Sequence, residues 1–338
     1  MTEVVLEVSG LSVEFALHGS VIQAVRGVDF CVRRGETLAI VGESGCGKST
    51  AVQALMGLID TPPGRISAGS ASFLGQELIG LPKRALNAIR GARVGMIFQD
   101  PMTSLNPTMK VGDQIAETLI VHRGMSRRKA RGRAVELLRR MRVPDAATRA
   151  GQYPFEFSGG MAQRAMIALS LVCEPELLIA DEPTTALDVT IQDQVLELMR
   201  DLQRDTGMAM VLITHDIGVV ARMANRVSVM YGGQIVESGS TEDICYRSAH
   251  PYTVGLRRAL PSRHDGRKRR LEAIEGSPPD LIRPPRGCGY FARCPHAMIV
   301  CDEGAPQMHE LDRGHDARCW LHHRFAPRLS DVLQRPPS

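Results

Sequence analysis

The stretch TLAIVGESGCGKST, residues 37–50, decides the fold. It begins as an apolar run typical of a buried strand and ends where a helix is predicted to begin. Gly42, Gly47, Lys48 and Ser49 have the spacing G-x-x-x-x-G-K-S, which forms a phosphate-binding loop when it joins a strand to a helix. A glycine-rich turn at a strand end is the alternative, but both flanks favour the loop.

Each position of this loop has a physical role. Glycines let backbone N–H groups curl around phosphate, and the start of the following helix adds partial positive charge. Lys48 is predicted to reach the β- and γ-phosphate oxygens, and Ser49 to hold Mg²⁺. The remaining residues of the predicted cradle are Glu43, Ser44, Gly45, Cys46 and Thr50.

Composition sets limits on the class of protein. The chain has 338 residues, 43% of them hydrophobic and 23% charged, which is ordinary for a globular protein with a large core. The net charge is only +4, and aromatic residues make up 4%. These values argue against nucleic-acid binding, which needs a stronger basic surface or interleaved aromatic side chains.

The N-terminus and the hydropathy pattern predict a cytoplasmic protein. Glu3 and Glu7 stand where a signal peptide would have basic residues before an apolar stretch. No run approaches the ~18 consecutive apolar residues that a membrane span needs.

The order of predicted elements indicates an α/β fold with a mostly parallel sheet, because strand-like and helix-like segments alternate. We expect a main domain over residues 1–240, into which a helical subdomain is inserted at about 101–174. Residues 241–275 are predicted to be a C-terminal helix and a basic linker, with the run RKRR at 267–270. Residues 276–338 form a tail rich in Pro, Gly and Cys. The predicted helices are Ser49–Leu58, Pro82–Arg90, Gly112–His122 and Ser126–Met141.

Two carboxylates end the apolar strand in LLIADEP, residues 177–183. Asp181 is predicted to hold Mg²⁺, and Glu182 to take a proton from an attacking water molecule. His215 ends the strand of MVLITHD, residues 210–216, and the two alternatives for it are a structural role and a role in orienting water and the γ-phosphate.

A second glycine-rich helix start occurs in FEFSGGMAQRA, residues 155–165. Ser158, Gly159 and Gly160 would let backbone N–H groups approach an anion, as the first loop does. One chain therefore carries two predicted anion-binding helix starts, far apart in the sequence.

Together these motifs resemble the ATP-binding cassette (ABC) family over about Val4 to Gly239. The resemblance implies a P-loop ABC ATPase with an inserted helical subdomain and with ATP and Mg²⁺ as cofactors, to which the composition of residues 276–338 adds a small Cys-rich C-terminal extension. It implies that Phe15 stacks on adenine, that Gln99 touches Mg²⁺, that Glu182 is the base and that His215 is the switch histidine. The same resemblance implies that Ala186–Asp188 form the loop that follows the two carboxylates.

In that family the segment Ser158–Gln163, which we call the signature, completes the ATP site of another subunit. The resemblance implies that Ser158, Gly159, Gly160 and Gln163 contact a partner's nucleotide. Phe157 and Met161 depart from the usual Leu-Ser-Gly-Gly-Gln, but they flank an intact Ser-Gly-Gly core.

Further segments are similar to importers of oligopeptides, dipeptides and related solutes. They are FQDPMTSLNPTMKVGDQIAE (98–117), FSGGMAQRAMIA (157–168), HPYTVGL (250–256) and GCGYFARCPHAMIVC (287–301). This resemblance implies a heterodimer with a second, related ABC ATPase, two membrane permeases and an extracytoplasmic solute-binding protein. It implies a peripheral position on the cytoplasmic face of the inner membrane.

Other functions stay open at this point. The cargo could be nickel, a glycoside or another small solute, because binding protein and permeases choose it. A soluble ABC ATPase acting on nucleic acid or ribosomes is less favoured, since such proteins generally have two fused cassettes or a long coiled-coil insertion, and neither is visible here.

Four cysteines crowd the tail, namely Cys288, Cys294, Cys301 and Cys319. In a reducing compartment such crowding suggests a metal site before disulfides. A zinc ion and an iron–sulfur cluster both suit four thiolates, no C-x-x-C pair decides between them, and incidental cysteines are the third possibility. Other zinc ligands are offered by His296, His309 and His315. The family resemblance favours a structural [4Fe–4S] cluster.

The predicted helix Ser126–Met141 is strongly basic, with Arg127, Arg128, Lys129, Arg131 and Arg133. The simpler interpretation is a solvated face with Ala130, Ala134, Leu137 and Met141 turned inward. The alternative is contact with anionic lipid headgroups.

Overall fold

A computed structural model describes residues 3–184, 188–259 and 274–326. The chain divides into two compact units, each assembled from several chain segments. The first unit comprises Met1–Leu6, Cys31–Thr37 and Ser72–Ile213, and the second comprises Glu7–Phe30, Leu38–Ala71 and Thr214–Ser338. Ala186, Leu187 and the basic run 267–270 lie outside the described residues.

The secondary structure alternates between strands and helices, as the sequence predicts. The strands are β1 (Val4–Leu17), β2 (Ser20–Arg33), β3 (Thr37–Val41), β4 (Gly64–Phe73), β5 (Gln76–Glu77), β6 (Val94–Ile97), β7 (Leu177–Asp181), β8 (Ala209–Thr214), β9 (Arg226–Tyr231), β10 (Gln234–Ser240), β11 (His309–Asp312) and β12 (His315–Ala317). The helices are α1 (Lys48–Leu55), α2 (Lys83–Ile89), α3 (Pro101–Ser104), α4 (Val111–Arg123), α5 (Arg127–Arg140), α6 (Ala146–Arg149), α7 (Gly159–Leu171), α8 (Val189–Thr206), α9 (Ile217–Met223), α10 (Thr241–Tyr246), α11 (Pro251–Arg258) and α12 (Ile299–Glu303).

The predicted helices exist, with small changes at their ends. The largest change is in α1, which ends at Leu55, whereas the sequence pattern predicts a helix that continues to Leu58. Gly57 has a φ of 57°, a left-handed conformation that ends a helix and that glycine adopts without steric cost. None of the helices in the described ranges combines the length and the apolar character needed to cross a membrane.

In the first unit, β6, β7 and β8 lie side by side and run parallel. All residues of β7 and β8 are buried, as expected for a parallel sheet covered on both faces. The crossover between β7 and β8 is the long helix α8, and the crossover between β6 and β7 contains the helices α3 to α7. Parallel neighbours require such crossovers because a tight turn reverses the chain direction.

The helices α4, α5 and α7 pack against one another in this crossover. On α5 the predicted apolar stripe is confirmed, because Ala130, Ala134, Leu137 and the following Met141 are buried. The basic side chains occupy the other face, where Arg131 pairs with Asp113 at 2.9 Å. The helix therefore has the amphipathic pattern of an ordinary surface helix.

In the second unit, β3, β9, β10, β12 and β11 are neighbours in that order. The pair β3 and β9 is parallel, whereas β10 pairs antiparallel with both β9 and β12. A separate sheet has the order β2, β1, β4. The strands β11 and β12 lie in the tail, for which the sequence pattern predicts no strands.

The tail belongs to the core of the second unit. Tyr290 is 3% exposed and packs in one cluster with Ala39 and Val41 of β3, and with Tyr231 and Tyr252. The rings of the three tyrosines lie 4.5 to 5.4 Å apart, centroid to centroid. Burial of such large side chains is a strong stabilising term, so the tail is bound to the strand that leads into the phosphate loop.

Candidate nucleotide-binding site

The predicted phosphate loop, residues 42–50, leaves the buried strand β3 and enters α1 at Lys48. Two positions of the loop require glycine, because backbone carbonyl groups of neighbouring segments lie too close for a side chain. A Cβ atom on Gly42 would lie 2.1 Å from the carbonyl oxygen of Met230, and one on Gly47 would lie 2.3 Å from that of Ala24. Gly47 also has a φ of 100°. The second unit thus fixes the course of the loop from both of its ends.

Lys48 lies inside the curve of this loop and is 5% exposed. Its Nζ donates to the carbonyl oxygens of Gly42 at 2.8 Å and of Glu43 at 2.9 Å. These two bonds hold the ammonium inside the curve of the loop, and its contact with the β- and γ-phosphates stays a prediction.

The other loop residues differ in exposure. Ser44 and Gly45 are exposed at the tip, while Ser49 and Thr50 are half-buried at the start of α1. Cys46 is buried, and this burial raises the pKa of its thiol, so the side chain stays neutral beside Lys48.

Glu43 has contacts that sequence reasoning missed. Its backbone N–H donates to the Tyr252 hydroxyl at 2.9 Å, and both oxygens of its carboxylate accept from Arg293 at 2.6 and 2.9 Å. Tyr252 belongs to the HPYT segment and Arg293 to the cysteine-bearing tail. No spacing rule connects either residue to a phosphate loop, so the sequence offered no signal for these contacts.

In the first unit, the predicted magnesium and base residues surround the end of β7. Asp181 is the last residue of β7 and is 3% exposed, whereas Glu182 directly follows the strand and is half-buried. Glu182 has a φ of 47°, and its N–H donates to the carbonyl oxygen of Ile213 at 2.9 Å. The exposed Gln99 donates to the Glu182 carboxylate at 3.3 Å, so the structure brings these two predicted residues together.

The signature, Ser158–Gln163, opens α7 in the first unit. Ser158 is the N-cap and accepts from the N–H of Met161 at 3.4 Å. A Cβ atom on Gly160 would lie 3.2 Å from Ile191, while one on Gly159 would meet nothing within 4 Å. Packing therefore explains the glycine at 160, and Gly159 faces open space.

Gln163 differs from the other signature residues. It is 2% exposed, and its side-chain amide donates to the carbonyl oxygen of Pro183. The side chain thus connects α7 to the segment that follows the acidic end of β7, instead of lying on the surface with Ser158 and Gly159.

The remaining predicted residues lie as follows. Phe15 is half-buried in β1, and His215 is exposed directly after β8, both in the second unit. Asp188, in the first unit, caps α8 by accepting from the N–H of Ile191 at 3.0 Å.

The four tail cysteines share one pocket in the second unit. Cys288, Cys294, Cys301 and Cys319 line it together with His250, His296 and Trp320. Burial raises the pKa of the Cys294 thiol and of the Cys319 thiol to about 12. Within the ranges that the structure describes, no three His, Cys, Asp or Glu side chains are placed to hold a single metal ion. This arrangement supports neither the zinc ion nor the iron–sulfur cluster that the sequence suggests.

Of the three histidines offered as zinc ligands, only His296 lines the cysteine pocket. His315 instead bonds through Nε2 to Glu237 at 2.9 Å. Glu237 is fully buried and also accepts from the N–H groups of Ala249 and His250. Burial lowers the pKa of His250 to about 4, so this residue is neutral.

Comparison with known proteins places this geometry in a family. The ABC transporter family model matches residues 25–185, and that of the oligopeptide/dipeptide transporter C-terminal region matches residues 236–301. The dipeptide transport ATP-binding protein DppD of Bacillus subtilis is 50% identical over 319 residues, which cover 94% of this chain and 95% of that protein. The oligopeptide transport ATP-binding protein OppD of Salmonella typhimurium is 50% identical over 303 residues, covering 90% of each.

A solved structure shares the fold. It is the dimer of the ATP-binding cassette MJ0796 in a post-hydrolysis state, bound to ADP and Pi. The two chains are 27% identical and superpose with a TM-score of 0.64 over 70% of this chain and 98% of that one. Fold and motifs together define a P-loop ATPase of the cassette class. The chain belongs to the ABC transporter family, as the sequence resemblance predicted.

Proposed function

We propose that this chain is the ATP-hydrolysing subunit of an ABC importer that energises the uptake of oligopeptides or dipeptides. The observation that carries the proposal is the similarity to peptide transport ATP-binding proteins, which extends over nine-tenths or more of the chain and includes its C-terminal region. Relatives that share only the ATPase fold would not match that region.

In the proposed mechanism, residues 42–50 bind the phosphates of MgATP. Lys48 neutralises the β- and γ-phosphates, and Phe15 stacks on adenine. Ser49, Gln99 and Asp181 would hold Mg²⁺ directly or through water. Bound Mg²⁺ supplies charge stabilisation at the transferring phosphoryl group.

Glu182 is proposed as the general base and His215 as the residue that orients water and the γ-phosphate. The hydrogen bond from Gln99 supports the first assignment, because it holds the Glu182 carboxylate in one orientation. Gln163, by contrast, is buried, and we assign it the support of the segment after β7.

The signature is proposed to complete the ATP site of a second, related ABC ATPase. Two features support this: Gly159 faces open space, and the similar cassette of known structure is a dimer bound to ADP and Pi. The full importer would add two permeases and an extracytoplasmic solute-binding protein, and it would hold this chain at the cytoplasmic face of the inner membrane.

We further propose functional regions along the chain. Residues 1–240 would form the ATPase domain, within which the helices of 101–174 face the permeases. Residues 241–275 would lead from this domain into the Cys-rich, metal-binding tail at 276–338, part of which packs in the core of the second unit.

The four tail cysteines are proposed to hold a structural [4Fe–4S] cluster. Four thiols lining one pocket are the donor set of such a cluster, which is larger than a single ion. His250 lines the same pocket, and its buried Nε2 has no hydrogen-bond partner among the described residues, which suits a donor to a bound group. Iron, acid-labile sulfide and zinc analysis after anaerobic purification tests this proposal, and stoichiometric zinc without sulfide would contradict it.

Growth and uptake measurements test the main proposal. A deletion strain is compared with its complemented parent on defined di- and oligopeptides, on nickel-limited medium and on candidate sugars. We expect loss of peptide uptake alone, restored by the wild-type chain. A loss of uptake confined to nickel or to a sugar would identify that solute, and not peptides, as the cargo. Recovery of the chain with ribosomes but without integral membrane proteins would contradict a role in transport.

A further inference from the structure

The phosphate-loop residue Glu43 is held from three sides. Tyr252 accepts its backbone N–H at 2.9 Å, and Lys48 donates to its carbonyl oxygen at 2.9 Å. Arg293 donates to its two carboxylate oxygens through Nη1 at 2.6 Å and Nη2 at 2.9 Å. Such a bidentate pair fixes both the position and the orientation of the carboxylate.

Arg293 is itself immobilised by the second unit. Its Nε donates to the carbonyl oxygen of Glu275 at 2.9 Å, Nη2 to that of Ile274 at 3.1 Å, and Nη1 to the Tyr231 hydroxyl at 3.2 Å. The guanidinium carbon lies 5.7 Å from the centre of the Tyr231 ring. Every nitrogen of the guanidinium therefore donates to a protein atom, and together these bonds fix the side chain in place.

Burial separates this pair from ordinary surface ion pairs. The Arg293 side chain is 4% exposed and that of Glu43 is 26% exposed. Exposed pairs contribute little because water and salt screen them, whereas a buried, fully hydrogen-bonded arginine is costly to disrupt. Breaking the pair would leave a buried charge without its partner.

We infer that Arg293 is a positioning residue for ATP binding, which acts by holding Glu43 and hence the curve of the phosphate loop. The inference rests on the proposed role of residues 42–50 as that loop. A loop that is ordered before the ligand arrives loses less conformational entropy on binding, so the ligand binds more tightly. Arg293 has all its donors directed to protein atoms and acts through Glu43.

The effect reaches the loop from the cysteine-bearing tail. Arg293 directly precedes Cys294, which lines the cysteine pocket, and Tyr290 packs with Tyr231 and Tyr252. The tail thus contributes to nucleotide affinity from outside the nucleotide-contacting motifs.

The test measures equilibrium binding of MgATP and MgADP to the full chain by calorimetric titration. We expect R293Q and E43Q each to weaken binding about tenfold, and R293K to weaken it by a smaller factor, because lysine keeps the charge but cannot form the bidentate pair. The double variant R293Q/E43Q should bind no more weakly than either single variant, since both remove the same contact. In the assembled importer, KM for ATP should rise while kcat stays unchanged.

Matched controls make the outcome decisive. R140Q removes an arginine from an exposed ion pair with Asp205, at 2.6 Å, and should leave affinity unchanged. E43Q breaks the contact without altering the tail, so it distinguishes loop positioning from damage to the cysteine pocket. K48A is expected to abolish MgATP binding, which shows that the loop binds nucleotide in this assay. With that control in place, three results would each overturn the inference. They are normal affinity in E43Q, additive losses in the double variant, and tighter binding in R293Q. A wild-type chain that binds no MgATP would instead overturn the proposed function.

Discussion

At the scale of single residues, Glu182 is the most informative position. We expect Glu182→Gln to retain MgATP binding and to lower hydrolysis in the assembled importer by about 10²–10⁴-fold, because the amide cannot accept the proton of the attacking water. The side chain keeps its size and can still accept from Gln99. Phosphate release and nucleotide binding are measured on the same preparation.

The control for this substitution is Glu176→Gln. Glu176 lies in the same unit and pairs with Arg93 at 3.1 Å, with 31% of its side chain exposed. It should retain normal hydrolysis. Near-normal turnover in Glu182→Gln would remove this residue from the role of base.

Single residues also show which parts of the candidate site can be predicted from the sequence. The phosphate loop and the signature could be predicted from the sequence because backbone contact with phosphate demands glycine at fixed spacing, and that demand is local. The Arg293–Glu43 pair joins residues 250 positions apart and follows no spacing rule. The burial of Gln163 was missed for the same reason, since its partner, Pro183, is chosen by packing.

At the scale of elements, the tail strands β11 and β12 were not predicted. Their sequence, HELDRGHDA, has no apolar alternation, so hydropathy gives no strand signal. Arg313-Gly314 between them is a turn, and Gly314 has a φ of 81°. The pairing of β12 with β10 and the bond from His315 to the buried Glu237 supply the stabilisation that the local pattern lacks.

This bond makes the stability of the tail depend on pH. The hydrogen bond to Glu237 raises the pKa of His315 above its ordinary value of 6.5, against the opposing effect of burial. Asp243, 3.8 Å from Nδ1, favours the charged form as well, while the nearby Arg247 disfavours it. A raised folded-state pKa contributes stability that is fully present below 6.5 and is lost as pH rises through the folded value.

We therefore expect His315→Gln to lower the free energy of unfolding of the tail by about 1 kcal/mol below pH 6.5, and by progressively less at alkaline pH. Glutamine keeps a neutral hydrogen-bond donor for Glu237, so the difference in unfolding free energy between the wild-type chain and this variant reports the charge on His315. Urea unfolding is followed by the fluorescence of Trp320, the single tryptophan of the chain, which lies in the tail. A difference that grows with rising pH would contradict this assignment.

At the scale of the whole molecule, the two helix starts that are predicted to bind anions belong to different compact units. The phosphate loop lies in the second unit, whose core includes the tail, and the signature lies in the first. In the proposed importer these two ends serve different nucleotides, one bound by this chain and one bound by its partner. A substitution in the phosphate loop should therefore weaken MgATP binding to this chain, whereas a substitution in the signature should lower ATP hydrolysis in the importer without changing that binding.

The decisive substitution is Gly159→Leu. Gly159 is exposed, and a Cβ atom there would meet nothing within 4 Å, so we expect the isolated chain to fold with leucine at this position. In the proposed shared site, its side chain would occupy the space that a partner's γ-phosphate enters at the start of α7. We expect unchanged MgATP affinity in the isolated chain and a loss of hydrolysis in the assembled importer of at least about tenfold.

Gly132→Leu is the matched control, because Gly132 also lies in a helix of the first unit and faces open space. It should leave MgATP binding unchanged and should lower hydrolysis less than Gly159→Leu, because Gly132 lies outside the signature, on a helix that is proposed to face the permeases. Binding is measured on the isolated chain and hydrolysis on the importer reconstituted in membranes, so that each variant gives a pair of values. If Gly159→Leu weakened MgATP binding in the isolated chain, the signature would serve the chain's own nucleotide, and the proposal of a shared site would fail.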